Sequence, residues 1–233
     1  MSAPGSPRLG LPRVHLRETT STNDRARALA ARGAPPGTLV TAASQSAGRG
    51  RQGRTWTAPP GQALLCSLVL RQSDELLPLR AGVAVASLAG PEAALKWPND
   101  VLVEGRKVAG ILVEARPQEG WAVLGIGVNV AVRAEDLPLE LRARAASLGL
   151  TSADVEPVLS RLLELLERWL AAPTESVLEA VRARDALNGQ PVSWSGGSGH
   201  GAGIDERGRL RVQTGGEVIA LDAGEVHLGA APS

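Results

Sequence analysis

The chain has no phenylalanine and no tyrosine, a single cysteine, and only two lysines among its 25 basic residues. One cysteine, Cys66, excludes an intrachain disulfide and fits a reducing compartment, so the expected location is the cytoplasm. Cys66 sits in an alternating apolar run and reads as core rather than as a nucleophile. No segment reaches the roughly 18 uncharged apolar residues of a membrane helix, and MSAPGSPRLGLPRV carries no apolar signal core. An excess of charge is missing too. The formal net charge of +1 argues against a general nucleic-acid binder or a polybasic membrane anchor. His15, His200 and His227 lack ligand spacing, so no metal cage is read, and G-x-S-x-G, H-E-x-x-H and P-loop motifs are absent. Stacking aromatics are limited to Trp56, Trp97, Trp121, Trp169 and Trp194.

What is present suffices for a core: 43% of 233 residues are hydrophobic, enough for one or two domains. The two lysines, Lys96 and Lys107, fall in one short stretch. A chain so biased toward arginine keeps lysine chiefly where a compact ammonium cannot be replaced by a planar guanidinium, which directs attention to residues 96–107.

VHLRET (14–19) alternates as a strand, and Ser21, Thr22 and Asn23 offer N-caps for a helix ending at Gly33. TLVTAAS (38–44) and LLCSLVLR (64–71) read as strands, with a long polar, Gly-rich loop between them, and residues 77–90 read as a buried helix. ALKWP, DVLVEGRKVAGILVEA and WAVLGIGVNV supply further strands, with turns at Glu104-Gly105 and at 118–120. Residues 135–188 read as helical, and from Gly189 onward short strands alternate with glycine turns; GGSGHGAG (196–203) reads as a flexible hairpin loop. The expected organisation is a disordered 1–13, a larger domain over 14–187, which the resemblance given below makes the catalytic one, and a small β-barrel-like domain over 188–233. The fold class is α+β, with a mixed or mainly antiparallel sheet and flanking helices.

Chemistry concentrates in three segments. In GRGRQGRTW (48–56), glycines allow close approach of backbone to a ligand while Arg49, Arg51 and Arg54 present forked cations suited to phosphate or carboxylate. A solvated or RNA-binding Gly-Arg tract is the alternative, countered by the segment's place between two strands. In KWPNDVLVEGRKVAG (96–110), Lys96, Asp100 and Lys107 meet near one end of a hairpin; a surface ion pair worth under about 1 kcal/mol is the bland alternative. VLGIGVNV (123–130) lacks the third glycine of a dinucleotide fingerprint, so Gly125 and Gly127 rather let a ligand lie against a strand, with Asn129 beside it.

In order and spacing, STN (21–23), QSAGRGRQGRTW (45–56), KWPND with RKVAGILVE (96–114) and GIGVN (125–129) together resemble the catalytic domain of biotin protein ligases, and the remainder resembles that family's SH3-like C-terminal domain. Lipoate protein ligases share the fold but not the GRGR and KWPND pair. The resemblance implies a class II aminoacyl-tRNA synthetase-like core and ATP-dependent ligation of biotin, through biotinyl-5'-AMP, to a lysine of the biotin carboxyl carrier of acetyl-CoA carboxylase. It implies biotin contacts for Ser21, Thr22, Asn23, Gln45, Gly48, Arg49, Gly50, Arg51, Lys107, Gly110 and Gly125. ATP contacts are implied for Arg49, Arg51, Arg54, Trp56, Lys96, Lys107 and Asn129, and catalytic roles for Lys107, Arg51 and Asp100. Mg²⁺ is expected with ATP, its ligands unassigned, and the assembly is expected to be a monomer or homodimer. About a dozen residues precede the first strand, too few for the helix-turn-helix of repressor members, so neither DNA binding nor membrane binding is expected. The rivals are a lipoate or octanoate transferase, separable by which acid supports pyrophosphate exchange, and an RNA-binding module, separable by salt-dependent RNA binding indifferent to biotin.

Overall fold

The computed structural model describes residues 9–71, 73–222, 224 and 226–229. Its first sheet runs through β1 (Arg13–Thr19), β2 (Leu39–Gln45), β3 (Ala63–Leu70), β4 (Ala94–Lys96), β5 (Asp100–Val103), β6 (Arg106–Arg116) and β7 (Trp121–Asn129). The spatial order is β1-β2-β3-β7-β6-β5-β4, with β1 and β2 parallel and every other pair antiparallel, a mixed sheet as expected. The helices are α1 (Thr22–Ala31), α2 (Leu77–Ala89), the single turn α3 (Leu139–Arg142), α4 (Val155–Leu170) and α5 (Thr174–Arg182). A second sheet holds β8 (Pro191–Trp194), β9 (Gly197–Ile204), β10 (Leu210–Thr214), β11 (Glu217–Leu221) and β12 (His227–Leu228), all antiparallel.

β3, ALLCSLVL, is buried at every position, which requires cover on both faces of the sheet. Strand alternation divides it. Leu64, Cys66, Leu68 and Leu70 join the main core with α2, α4 and α5. Val69 joins a smaller cluster beneath α1, with Ala26, Ala30, Val40, Trp121 and Val123, while Ala63 and Leu65 face Trp56, Val132 and Leu137. Ser67 interrupts that second face, between the two small clusters, and there the site lies.

The two sheets share one apolar core, because Leu187, Val192, Ile204, Leu210 and Val212 belong to the cluster built around α2. The Trp97 Nε1–H donates to Gly208 O at 2.9 Å across the junction. Position 188 therefore marks a change of sheet rather than a break in packing.

Three expectations need correction. Of the segment 1–13 read as disordered, residues 1–8 lie outside the described residues, but Leu9 packs on the core, Gly10 N–H donates to Gly37 O at 2.9 Å, and β1 opens at Arg13. Residues 143–151 are not helical. They run as a strap against the sheet, where Ala146 N–H donates to Lys107 O at 2.8 Å and Leu148 N–H to Asn129 O at 2.9 Å. GGSGHGAG is mostly strand β9, and its glycines are there for close packing: a Cβ on Gly199 would stand 2.4 Å from Gln213 O, and one on Gly201 2.0 Å from Leu187 O.

Candidate active site

The floor is a patch of sheet without side chains. Ser67 pairs with Gly125 and Leu65 with Gly127 across β3 and β7, while Gly110 pairs with Gly127 across β6 and β7, so the three glycines lie on the face that carries Ser67. A Cβ on Gly125 would lie 2.0 Å from Asn23 Oδ1, one on Gly127 2.6 Å from the Trp56 ring, and one on Gly110 3.1 Å from both Trp56 and Lys107 Cε. The chain brings α1, the 48–56 loop and Lys107 together over this floor, and only glycine permits that approach.

One wall is the start of α1. Ser21 stands at the N-cap, yet its hydroxyl makes no capping bond; Ser21, Thr22 and Asn23 are all buried. Thr22 donates through both its N–H (2.7 Å) and its Oγ1 (3.0 Å) to Gln45 Oε1. Ser67 Oγ lies 2.8 Å from Thr22 Oγ1 and 2.6 Å from Asn23 Oδ1, and Asn23 Nδ2 donates to Glu114 Oε2 at 2.9 Å. The polar atoms of this wall are held in one orientation by neighbours rather than by solvent, which suits a ligand with its own donors and acceptors.

The loop expected to be irregular is a small hairpin. Arg49 and Thr55 form an antiparallel bridge, Gly50 N–H donates to Arg54 O at 2.7 Å, and Trp56 N–H to Gly48 O at 3.0 Å. Gln52 (φ 54) and Gly53 (φ 74) supply the two left-handed positions of its tip. Gly48 has no room for a side chain, since a Cβ would lie 2.4 Å from Trp56 O. Trp56 is thereby laid on the glycine floor, its Nε1 buried and without a partner. Arg51 reaches inward, Nη1 3.3 Å from Asn99 Oδ1, whereas Arg54 is exposed. Arg49, expected to contact both biotin and ATP, points to α1 and β6. Its Nη1 lies 2.7 Å from Asp24 Oδ1 and 3.4 Å from Glu114 Oε1, and the bond to Asp24 raises its pKa further.

Opposite stands the lysine hairpin. Lys107 Nζ is 2.7 Å from Asp100 Oδ1 and 5.6 Å from the centre of the Trp56 ring. Lys96 is in register with Asp100 across β4 and β5. The 143–151 strap holds this side: Lys107 N–H donates to Arg144 O at 2.7 Å, and Asn129 Nδ2 donates to Ala146 O at 2.9 Å. That leaves Asn129 Oδ1 buried and unpartnered, an acceptor at the end of the floor.

Thr22, Asn23, Gln45, Trp56, Asp100, Lys107, Gly110, Gly125 and Gly127 lie around this one face of the sheet. Ser67, Asp24, Arg27, Glu114 and the strap escaped the sequence. Ser67 had a signal, being the one hydroxyl in an apolar strand; the strap had none, because its role is played by backbone groups. Among the described residues no three His, Cys, Asp or Glu side chains group as metal ligands, and no helix is long and apolar enough to cross a membrane.

Residues 16–130 match the model of the biotin/lipoate A/B protein ligase family. The chain is 36% identical to a biotin–[acetyl-CoA-carboxylase] ligase of Mycobacterium tuberculosis, over 90% of this chain and 86% of the relative. Identity to the ligase of that name from Paracoccus denitrificans is 37%, over 92% of this chain and 99% of the relative. The structure superposes on a biotin protein ligase from Aquifex aeolicus in complex with biotin and ATP with a TM-score of 0.79, at 28% identity, covering 94% of this chain and 99% of the other. With motifs, fold and relatives in accord over nearly its whole length, the chain belongs to the biotin protein ligase family, as a biotin–[acetyl-CoA-carboxylase] ligase.

Proposed function

We propose that the site activates biotin as biotinyl-5'-AMP and then transfers it to one lysine of a biotin carboxyl carrier domain, without acting as a repressor. The observation that carries this reading is the Lys107–Asp100 pair, 2.7 Å apart at the edge of a glycine floor. The first step brings a carboxylate to the α-phosphorus of ATP, two anions that repel, so it calls for fixed cations more than for a nucleophile. Lys107 has three donors and can hold a substrate carboxylate and an α-phosphate oxygen together once Asp100 yields part of its contact. Arg51, on the inner side of the hairpin, and Lys96, opposite Asp100, add positive charge where it is needed.

The ring system would lie on Gly125 and Gly127 against Ser21, Thr22, Asn23 and Gln45, with Gly48 and Gly50 letting the hairpin backbone close on the carboxylate end. Trp56, packed across the floor, would keep water from the mixed anhydride. Asn129, with its free Oδ1, and the exposed Arg54 fit the ATP side. Mg²⁺ would arrive on the triphosphate, held mainly by phosphate oxygens and water. In the second step the incoming amine, with a free pKa of about 10.4, must lose a proton, and Asp100 is the carboxylate placed to orient it or take that proton.

Mass spectrometry of a carrier domain incubated with the protein, biotin, ATP and Mg²⁺ tests the reading. One biotin adduct is expected, absent without ATP and strongly reduced with Lys107→Ala. An adduct with lipoate but not with biotin would overturn it. Specific retention of promoter DNA by the pure protein would overturn the non-repressor part.

A further inference from the structure

We propose that Asp24 and Glu114 are positioning residues that dock Arg49, hold the 48–56 hairpin down over the glycine floor, and, through Glu114, fix the amide of Asn23 in the same act.

The cluster is built from four side chains on three elements. Asp24 and Arg27 stand one turn apart on α1, Glu114 projects from β6 on the face that carries Gly110, and Arg49 descends from the hairpin. Arg49 Nη1 lies 2.7 Å from Asp24 Oδ1 and 3.4 Å from Glu114 Oε1; Arg27 Nη1 lies 3.1 Å from that Glu114 oxygen and 3.4 Å from that Asp24 oxygen. Two guanidinium groups and two carboxylates thus neutralise one another around a shared pair of oxygens. Glu114 keeps its other oxygen for Asn23, accepting from Nδ2 at 2.9 Å, while Ser67 Oγ stands 2.6 Å from Asn23 Oδ1. A carboxylate accepts only, so it permits one orientation of the Asn23 amide: nitrogen toward Glu114, oxygen toward Ser67.

The backbone bonds of the hairpin tip run largely within the hairpin itself, from Gly50 to Arg54, Arg54 to Arg51 and Trp56 to Gly48. Such a unit is internally stiff yet needs side-chain ties to fix its angle to the sheet. Arg49 is such a tie. Its side chain and that of Asp24 are each 42% exposed, so the pairing adds little to global stability, but it biases where the hairpin rests. The docked position places Trp56 on Gly127 and Gly110, with Asn23 against Gly125. The same carboxylate therefore couples hairpin closure to the wall of the pocket.

The inference rests on the proposed function only in taking biotin as the probe, and its first measurement needs no biotin. Limited trypsin digestion of the full chain reads cleavage after Arg49, Arg51 and Arg54. Asp24→Asn with Glu114→Gln should raise the cleavage rate about tenfold while the unfolding midpoint moves by no more than about 2 °C. In steady-state assays the double variant should raise the biotin KM about tenfold, with the ATP KM within about twofold of wild type. Glu114→Asp, which keeps the charge, should recover part of both effects. Unchanged cleavage in the double variant overturns the docking, whatever biotin does. Equal losses in biotin KM, ATP KM and midpoint also overturn it, since a merely structural pair would behave so. A wild-type protein indifferent to biotin would count against the proposed function, with the cleavage result still deciding the docking.

Discussion

Lys107 and Asp100 face one another at 2.7 Å from adjacent strands, joined by a turn in which Glu104 (φ 51) and Gly105 (φ 73) both take left-handed backbone. Beyond the turn the register shifts between Val101 and Leu102, so that Lys107 lies opposite Leu102 and Asp100 opposite Gly110, and the two side chains meet across that irregularity. In the proposed reaction the two residues serve opposite charges in successive steps, so their removal should separate those steps. Lys107→Ala should slow biotin-dependent ATP–pyrophosphate exchange by about 100-fold or more. Asp100→Asn should leave exchange within about tenfold of wild type and slow transfer to the carrier by about 100-fold. Exchange assays and single-turnover transfer check both; an Asp100→Asn enzyme that transfers at the wild-type rate would remove Asp100 from the second step.

Gly125→Ala places a Cβ 2.0 Å from Asn23 Oδ1, so α1 must retreat or Asn23 must turn away from Ser67. The biotin Kd should rise by about tenfold or more. Gly127→Ala presses on the Trp56 ring instead, at 2.6 Å, and should shift the Trp56 emission maximum as the ring leaves the floor. Titration calorimetry for the first variant and fluorescence for the second, in a protein keeping Trp56 with its other tryptophans replaced, decide whether the floor acts as described.

Ser67 is fully buried, and its hydroxyl meets Thr22 Oγ1 and Asn23 Oδ1. Ser67→Ala leaves Asn23 Oδ1 and Thr22 without that partner and should cost about 1–2 kcal/mol of stability. Ser67→Thr would retain the hydroxyl but crowd the wall. Urea unfolding measures the first; a midpoint unchanged from wild type would show that the hydroxyl is not needed there.

Burial pushes the Cys66 thiol up to about 12, against an ordinary value of 9.0, with nearby Arg13 opposing slightly. A raised folded value means the neutral thiol is favoured in the native state. The associated stability is fully present below pH 9.0 and is lost as pH rises toward about 12, while the unfolded thiol ionises. The slope approaches about 1.4 kcal/mol per pH unit at most, and Cys66→Ala should abolish that share of the alkaline loss. Iodoacetamide at pH 8 should label Cys66 only after unfolding; rapid labelling of the native protein would show the strand to be open.

Much of the fold was legible because its signals are local. The fully apolar β3, the amphipathic α4 and the Glu104–Gly105 turn follow from residue type and period. The 143–151 segment was misread because its backbone bonds go to Lys107 and Asn129, residues distant in sequence, and GGSGHGAG because glycine chosen for close packing looks the same as glycine chosen for flexibility.

By itself the sequence determined the family and the mixed α+β architecture, since motif spacing and hydrophobic period are properties of the chain read in one dimension. Only the tertiary structure decided that Arg49 turns to Asp24 and Glu114, that Ser67 orients Asn23, that the Gly-Arg loop is a hairpin, and that a backbone strap steadies Lys107 and Asn129. Those contacts join residues far apart in the chain, and the direction of a side chain toward one of two reachable partners depends on distances that exist only once the sheet has formed.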